Sequence, residues 1–282
     1  MKLRQKIAIK YIRAKLNMIA LVSKEDAAKK AFELFCTPQR RSKRKPHGIF
    51  DKAEKLSFQL NDLCIKGYRF NHPSEKKALI VHGFESSAKN FYKYIQPLID
   101  LGFEVLAFDG PAHGRSEGKQ IQIPLYIQTL EKIESLYGPL DLMIGHSFGG
   151  LAIALFLEKH PESSIKKSVL IAPATETSSS IKGFYTLLDI KEEIQVIIEK
   201  MIVEKSGVPS SWFSISRAAP SIQSQILWIH DKEDDLTPYK DALVVKNKNY
   251  SNFQFITTQG LGHRKIYKNE EVIEQIMTFV KS

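Results

Sequence analysis

Between Leu140 and Gly150 the chain reads LDLMIGHSFGG, which sets Ser147 between Gly145 and Gly149 at a spacing of two. An apolar run, Leu142-Met143-Ile144, precedes this serine, and Leu151 to Leu157 follows it. That is the pattern of a strand turning sharply into a helix with serine at the apex. Such a turn strains its apex residue. Side chains two positions to either side would collide with the strand or the helix, which glycine avoids. The turn holds a hydroxyl exposed at a helix N-terminus, where unpaired amides and partial positive charge suit a developing oxyanion. The chemistry this allows is attack by the hydroxyl on an acyl carbon. The same five residues also describe a glycine-rich turn whose serine is structural, so the rest of the chain has to decide.

A serine hydroxyl is a poor nucleophile without a base, and the base needs a group to orient it. Candidates fall at the ends of other apolar runs. His82-Gly83-Phe84 follows Ala78 to Val81, and Asp109 to Ser116 follows Phe103 to Phe108. His230 to Pro238, with Asp231, Asp234 and Asp235, follows Ile226 to Ile229. Gly260-Leu261-Gly262-His263 follows Phe253 to Thr257. Ligands of open α/β sheets bind outside the carboxyl ends of the strands. The chain order Ser, Asp, His is the order of a hydrolytic triad built on a strand-turn-helix serine.

The elements that must position these residues alternate. Leu56 to Leu60 and Cys64 to Phe70 read as a hairpin turned at Asn61-Asp62. Strands at 78–81, 103–108, 142–144, 168–171, 226–229 and 253–257 alternate with helices near 89–101, 123–137, 151–157 and 239–246, and a last helix follows at 270–281. Strand-helix alternation predicts a mostly parallel, doubly wound sheet with helices on both faces. From about 174 to 224 the rhythm breaks into a helical pattern, the expected insertion, which would lie over Ser147 as a lid. Its Phe184, Tyr185, Leu187, Leu188, Trp212 and Phe213 suit an acyl chain, or simply the packing of the insertion itself, which is the more common use of such residues.

Together these motifs resemble the α/β-hydrolase superfamily over residues 55–281. The whole chain is similar to a bacterial subgroup of serine esterase- and lipase-like members. The resemblance implies Ser147 as nucleophile, His263 as base, and the backbone amides of Phe84 and Phe148 as oxyanion donors. It places the acid in a loop where aligning Pro238 selects Asp234. Asp231 stands where that loop usually carries glycine, so Asp231 and Asp235 compete with Asp234. Serine at 147 argues against the dehalogenases of this fold, which use aspartate there. His82, His113 and His146 read as structural or pocket-lining, Glu85 as a solvated rim residue, and Arg115 with Ser116 as ties within the loop after Asp109.

Composition bounds the partners. The 282 residues suffice for one α/β domain with an insertion. Residues 1–50 hold 14 Lys/Arg against 3 Asp/Glu, a net of +11, while the remaining 232 residues carry a net of −1. A basic arm and linker, residues 1–50, therefore precede a near-neutral body at 51–282, and a general nucleic-acid surface is not indicated. In the arm, Ser23 with Asp26 predicts a cap for a second helix starting near Lys24. The first helix reads as a lead-in packed on the domain, with a weak contact on an anionic membrane surface as the sharper alternative. Two prolines, Pro38 and Pro46, bracket five basic residues, predicting an extended solvated linker, with phosphate binding as its alternative. Two cysteines without a pairing motif suit a reducing compartment, and no signal peptide or membrane span is read, so a cytoplasmic setting is expected. No metal motif is present, and neither metal nor cofactor is expected. The expected substrate is a carboxylic ester or thioester of a small to medium acyl group, cleaved through an acyl-enzyme. A short peptide, with Glu192 or Glu193 receiving its amine, and a non-catalytic binding protein of this fold that uses its basic arm on anionic lipid or RNA are the alternatives.

Overall fold

The computed structural model describes residues 3–41 and 46–282, and Ser42 to Lys45 of the basic linker lie outside the described residues. The chain divides into two compact units, Met1–Thr37 with Glu176–Phe213, and Pro38–Thr175 with Ser214–Ser282.

The larger unit is built on eight strands: β1 (Glu54–Leu60), β2 (Leu63–Phe70), β3 (Lys76–Val81), β4 (Phe103–Asp109), β5 (Leu142–His146), β6 (Lys167–Ile171), β7 (Gln225–Asp231) and β8 (Phe253–Thr258). Their order across the sheet is β1-β2-β4-β3-β5-β6-β7-β8. The hairpin β1–β2 is antiparallel, turned where Asn61 takes a left-handed conformation, and β2 also runs antiparallel to β4. The other neighbouring pairs are parallel. The long apolar runs explain this arrangement, because a parallel strand covered by helices on both faces carries apolar residues at every position. All seven residues of β4 and all five of β5 are buried. Alternate residues face opposite layers. Ala78, Ile80, Val105, Ala107, Leu142 and Ile144 share one core with α3 (Tyr92–Asp100) and α11 (Glu270–Lys281). The crossover helices α4 (Ile123–Tyr137), α5 (Phe148–Lys159) and α9 (Tyr239–Lys246), with the short α8 (Ile215–Ala218), complete this unit together with one further turn, α10 (Gly262–Lys265).

Parallel register sets the site. Val81 pairs with Gly145, His146 with Ile171, Ile171 with Ile229, and Asp231 with Thr258. The residues just past these positions therefore emerge along one edge of the sheet.

The smaller unit joins α1 (Leu3–Val22) and α2 (Lys24–Cys36) to α6 (Thr177–Leu188) and α7 (Glu192–Ser206). Ser23 caps α2, its hydroxyl accepting the Asp26 amide at 3.0 Å. Leu16, Ala27, Ala31 and Phe32 share a core with Ile181, Tyr185, Leu188, Ile194 and Ile198. Of the helices read as a basic arm, α2 and one face of α1 thus pack on the inserted helices. Arg13 donates to the Leu187 carbonyl at 2.7 and 3.0 Å, and Lys24 pairs with Glu193 at 2.7 Å.

Candidate active site

Ser147 sits between β5 and α5 with φ 56° and ψ −121°, a conformation that L side chains seldom adopt. The surroundings hold it there. Its amide donates to the Ile171 carbonyl at the end of β6 (3.0 Å), and its own carbonyl accepts the Ala174 amide (3.0 Å). Glycine is required on both sides. A Cβ on Gly145 would stand 2.6 Å from the Ile153 side chain, and one on Gly149 would stand 2.6 Å from the His82 carbonyl oxygen. Gly83 lets the next strand end approach, since a Cβ there would lie 2.9 Å from the Ser147 Cβ.

His263 is the second residue of α10 and is buried. Its Nε2 lies 3.0 Å from the Ser147 Oγ, and its Nδ1 lies 2.8 Å from Asp234 Oδ2. Asp234, in the loop after β7, is fully satisfied. Its Oδ1 accepts the amides of Leu236 (2.9 Å) and Thr237 (2.8 Å), and the Thr237 hydroxyl lies 2.8 Å from Oδ2. Burial alone would raise the carboxyl pKa, but the hydrogen bond and charge of His263, with the two amides, outweigh it and hold Asp234 below the usual carboxylate range. Asp234 is therefore an anion that fixes the proton of His263 on Nδ1 and leaves Nε2 to accept from the serine hydroxyl.

The competing carboxylates are placed elsewhere. Asp231 accepts from Glu233 (3.0 Å), the Thr258 hydroxyl (2.7 Å) and Leu261 (3.0 Å), tying the β7 loop to the β8 loop. Asp235 is exposed, and no bond joins it to His263. Of the other histidines, His82 donates from Nδ1 to the Gly83 carbonyl and accepts the Gly110 amide on Nε2, both at 2.8 Å. His113 donates to the Pro111 carbonyl (2.9 Å) and accepts the Glu85 amide (3.0 Å). Burial pushes His82 down to about 4 and His113 down to about 3, so both are neutral ties between the β3 and β4 loops. Arg115 and Ser116 secure that loop as expected. The Arg115 amide donates to Asp109 Oδ2 at 2.9 Å and the Ser116 hydroxyl to the Asp109 carbonyl at 2.5 Å. Glu85 accepts the Gln39 amide at 3.0 Å, and Arg41 donates to the carbonyls of Ser116 (3.0 Å) and Gly118 (2.5 Å). The described part of the basic linker is thus pinned to these loops instead of being solvated throughout.

Phe84 and Phe148 flank Ser147 from two strand ends, with their rings in edge contact at 6.1 Å between centroids. Among the described residues no acceptor takes either backbone amide. Both remain available to a developing negative charge, and Phe148 adds the N-terminal end of α5.

Three residues near the pair escaped the sequence reading in whole or part. The Thr237 hydroxyl lies within 3.1 Å of His263 Nδ1 as well as against Asp234. Its signal was local: an aspartate whose carboxylate takes amides two and three residues on makes an Asx-type turn. His230 backs that loop, donating to the Thr237 carbonyl (2.7 Å) and accepting from the Trp228 indole (3.2 Å), with burial keeping it neutral. His146 donates from Nε2 to the His263 carbonyl at 3.0 Å, and burial, with the neighbouring His263, holds it well below the imidazole range. A contact between residues 146 and 263 leaves no mark in a single sequence. A cavity of about 450 Å³ at the opposite ends of β6 and β7, lined by His160, Lys166, Lys167 and Gln225 among others, contains none of the predicted residues.

Residues 72–214, half of the chain, match the family described as serine aminopeptidase, S33. The chain belongs to this family of the α/β-hydrolase superfamily. It is 25% identical over 204 residues to the protein YqkD of Bacillus subtilis, covering 67% of this chain and 66% of that one. It is 31% identical over 144 residues to a human serine hydrolase-like protein, covering 49% and 68%. It is 36% identical over 111 residues to methylesterase 1 of Arabidopsis thaliana, covering 36% and 42%. The matched stretch thus spans just under two thirds of the first of these relatives. An esterase of Pyrococcus furiosus superposes with a TM-score of 0.66 at 20% identity, over 87% of this chain and 97% of that one. Est1E of Butyrivibrio proteoclasticus, solved with ferulic acid bound, gives 0.63 at 18% identity, over 80% and 98%. The eight-stranded sheet and its helices are the α/β-hydrolase fold.

Proposed function

We propose that the chain is a serine hydrolase that cleaves carboxylic esters or thioesters of small to medium acyl groups through an acyl-enzyme. The observation that carries this reading is the continuous set of contacts from Ser147 Oγ to His263 Nε2 (3.0 Å) and from His263 Nδ1 to Asp234 Oδ2 (2.8 Å). In the proposed reaction His263 takes the Ser147 proton as the oxygen attacks the acyl carbon. Asp234 stabilises the imidazolium, and the amides of Phe84 and Phe148 receive the oxyanion. His263 then passes the proton to the leaving alcohol or thiol, and water, deprotonated by the same imidazole, releases the acid. Each oxyanion donor contributes on the order of 10²–10³ in turnover.

The ester class is favoured by the names of the similar methylesterase and of the superposed esterase. The family description keeps peptide substrates as the competing class. Of the carboxylates expected to receive a peptide amine, Glu193 is already paired with Lys24. A cytoplasmic setting goes with this reading, in keeping with only two cysteines in the chain, and no described helix is long and apolar enough to cross a membrane. The test is a panel of p-nitrophenyl esters of increasing acyl length beside aminoacyl p-nitroanilides, on the wild type and Ser147→Ala. Ester turnover that Ser147→Ala abolishes is expected. Turnover of anilides alone would replace the substrate class, and ester turnover undiminished in Ser147→Ala would remove the mechanism.

A further inference from the structure

Helix α1 has two apolar faces. Ile9, Ile12, Leu16, Ile19 and Ala20 pack into the core shared with α2, α6 and α7. On the other side Ile7, Tyr11, Ala14, Met18, Leu21 and Val22 recur at steps of three and four, so they line one stripe of the helix. That stripe is bare. Ile7 is 59% exposed, Tyr11 and Met18 68%, Leu21 88% and Val22 90%. Single exposed apolar residues are ordinary, but a contiguous apolar patch marks an interaction surface. Fourteen large apolar side chains are exposed among the described residues, and five of them sit on this one helix.

The charges beside the stripe favour an anionic partner. Lys10 and Lys15 flank it on opposite sides and Lys6 extends one flank; all three are exposed, and α1 contains no aspartate or glutamate. No ion pair engages these lysines among the described residues, whereas Arg13 and Lys24 are committed to Leu187 and Glu193 within the unit. A second copy laid on this face would bring lysines against lysines. A surface that is apolar within and negative at its rim complements it, which describes the headgroup boundary of an anionic bilayer. The basic residues interrupt α1 too often for it to span, and no described helix is suited to crossing a membrane.

We propose that the exposed face of α1 docks the protein on anionic phospholipid membranes, with the apolar stripe entering the headgroup boundary and Lys6, Lys10 and Lys15 meeting lipid phosphates. This holds whatever substrate Ser147 acts on.

The test is sedimentation of the full-length protein with vesicles of phosphatidylcholine containing phosphatidylglycerol, against vesicles of phosphatidylcholine alone. Binding to the anionic vesicles only, weakened by added salt, is expected. Lys10→Gln with Lys15→Gln should lower the partition coefficient roughly 25-fold, taking about fivefold per basic side chain at the surface. Met18→Glu with Leu21→Glu should abolish binding. These side chains are exposed, so circular dichroism and ester turnover should stay at wild-type values. Equal binding to both vesicle types, absence of binding by the wild type, or binding that survives Met18→Glu with Leu21→Glu would each overturn the proposal. So would self-association in sedimentation velocity that this double substitution dissolves in a protein without vesicle affinity.

Discussion

Replacing Asp234 with asparagine exchanges one oxygen for an NH₂ group, and the surrounding hydrogen bonds dictate where that group goes. Oδ1 accepts two backbone amides, from Leu236 at 2.9 Å and Thr237 at 2.8 Å, so that position must stay an oxygen. The new NH₂ is therefore forced into the Oδ2 position, 2.8 Å from His263 Nδ1. It can only donate there, so Nδ1 must become the acceptor and the imidazole proton moves to Nε2. Nε2 faces Ser147 Oγ at 3.0 Å, and a nitrogen already carrying a proton cannot take the one on the hydroxyl. The carboxylate that would stabilise the imidazolium is lost in the same step. The expected loss is about 10⁴-fold in kcat, or about 5 kcal/mol of barrier. KM should hardly move, because Asp234 is buried behind His263. Steady-state hydrolysis of a short p-nitrophenyl ester measures this, with thermal melting as the control for folding. Asp231→Asn is the paired comparison. It weakens the tie to Thr258 and Leu261, so it should lower the melting temperature while leaving kcat within about tenfold. Retention of kcat within about tenfold by Asp234→Asn, or a larger kcat loss in Asp231→Asn, would refute the assignment of Asp234 as the partner of His263.

Other parts of the site make separate predictions. Gly149→Ala places a Cβ 2.6 Å from the His82 carbonyl oxygen; a cost of about 3 kcal/mol or more is expected, read as a lower melting temperature with lost turnover, and a wild-type melt would contradict it. His146→Phe keeps a ring in place but deletes the N–H held by the His263 carbonyl. It should lower kcat about tenfold with KM unchanged, and an unaltered kcat would show that this bond does not position His263. Burial holds His82 at about 4 and His113 at about 3, below the ordinary 6.5. The unfolded chain therefore takes up these protons first, and stability present above pH 6.5 is lost as pH falls towards those values. For His82 alone the loss approaches about 3 kcal/mol. Urea midpoints should fall between neutral pH and about pH 4.5, and a constant midpoint would argue against neutral buried histidines.

Much of this was legible in the sequence, for physical reasons that differ by element. Fully buried parallel strands appear as short apolar runs, so β3, β4 and β5 could be placed, and helix 123–137 was read with the bounds it has. The glycines around Ser147 were legible because the turn excludes a Cβ at Gly145 and Gly149. The choice among Asp231, Asp234 and Asp235 was only indicated, by alignment on Pro238; three carboxylates in one loop look alike until the fold shows which one meets His263. The joint core of α1 and α2 with α6 and α7 was not read at all. Two amphipathic faces about 170 residues apart carry no mark that they belong together. The same holds for Arg41, whose partners are backbone carbonyls at 116 and 118 and so leave no complementary side chain to find.

In the proposed mechanism His263 and Asp234 activate the Ser147 hydroxyl. Peptide mass spectrometry after treatment with a fluorophosphonate tests this most directly, because the probe phosphonylates an activated serine without depending on the natural substrate. A single adduct is expected on the peptide carrying Ser147, absent in Ser147→Ala and formed far more slowly in Asp234→Asn. An unlabelled wild type, or an adduct at any other residue, would contradict it.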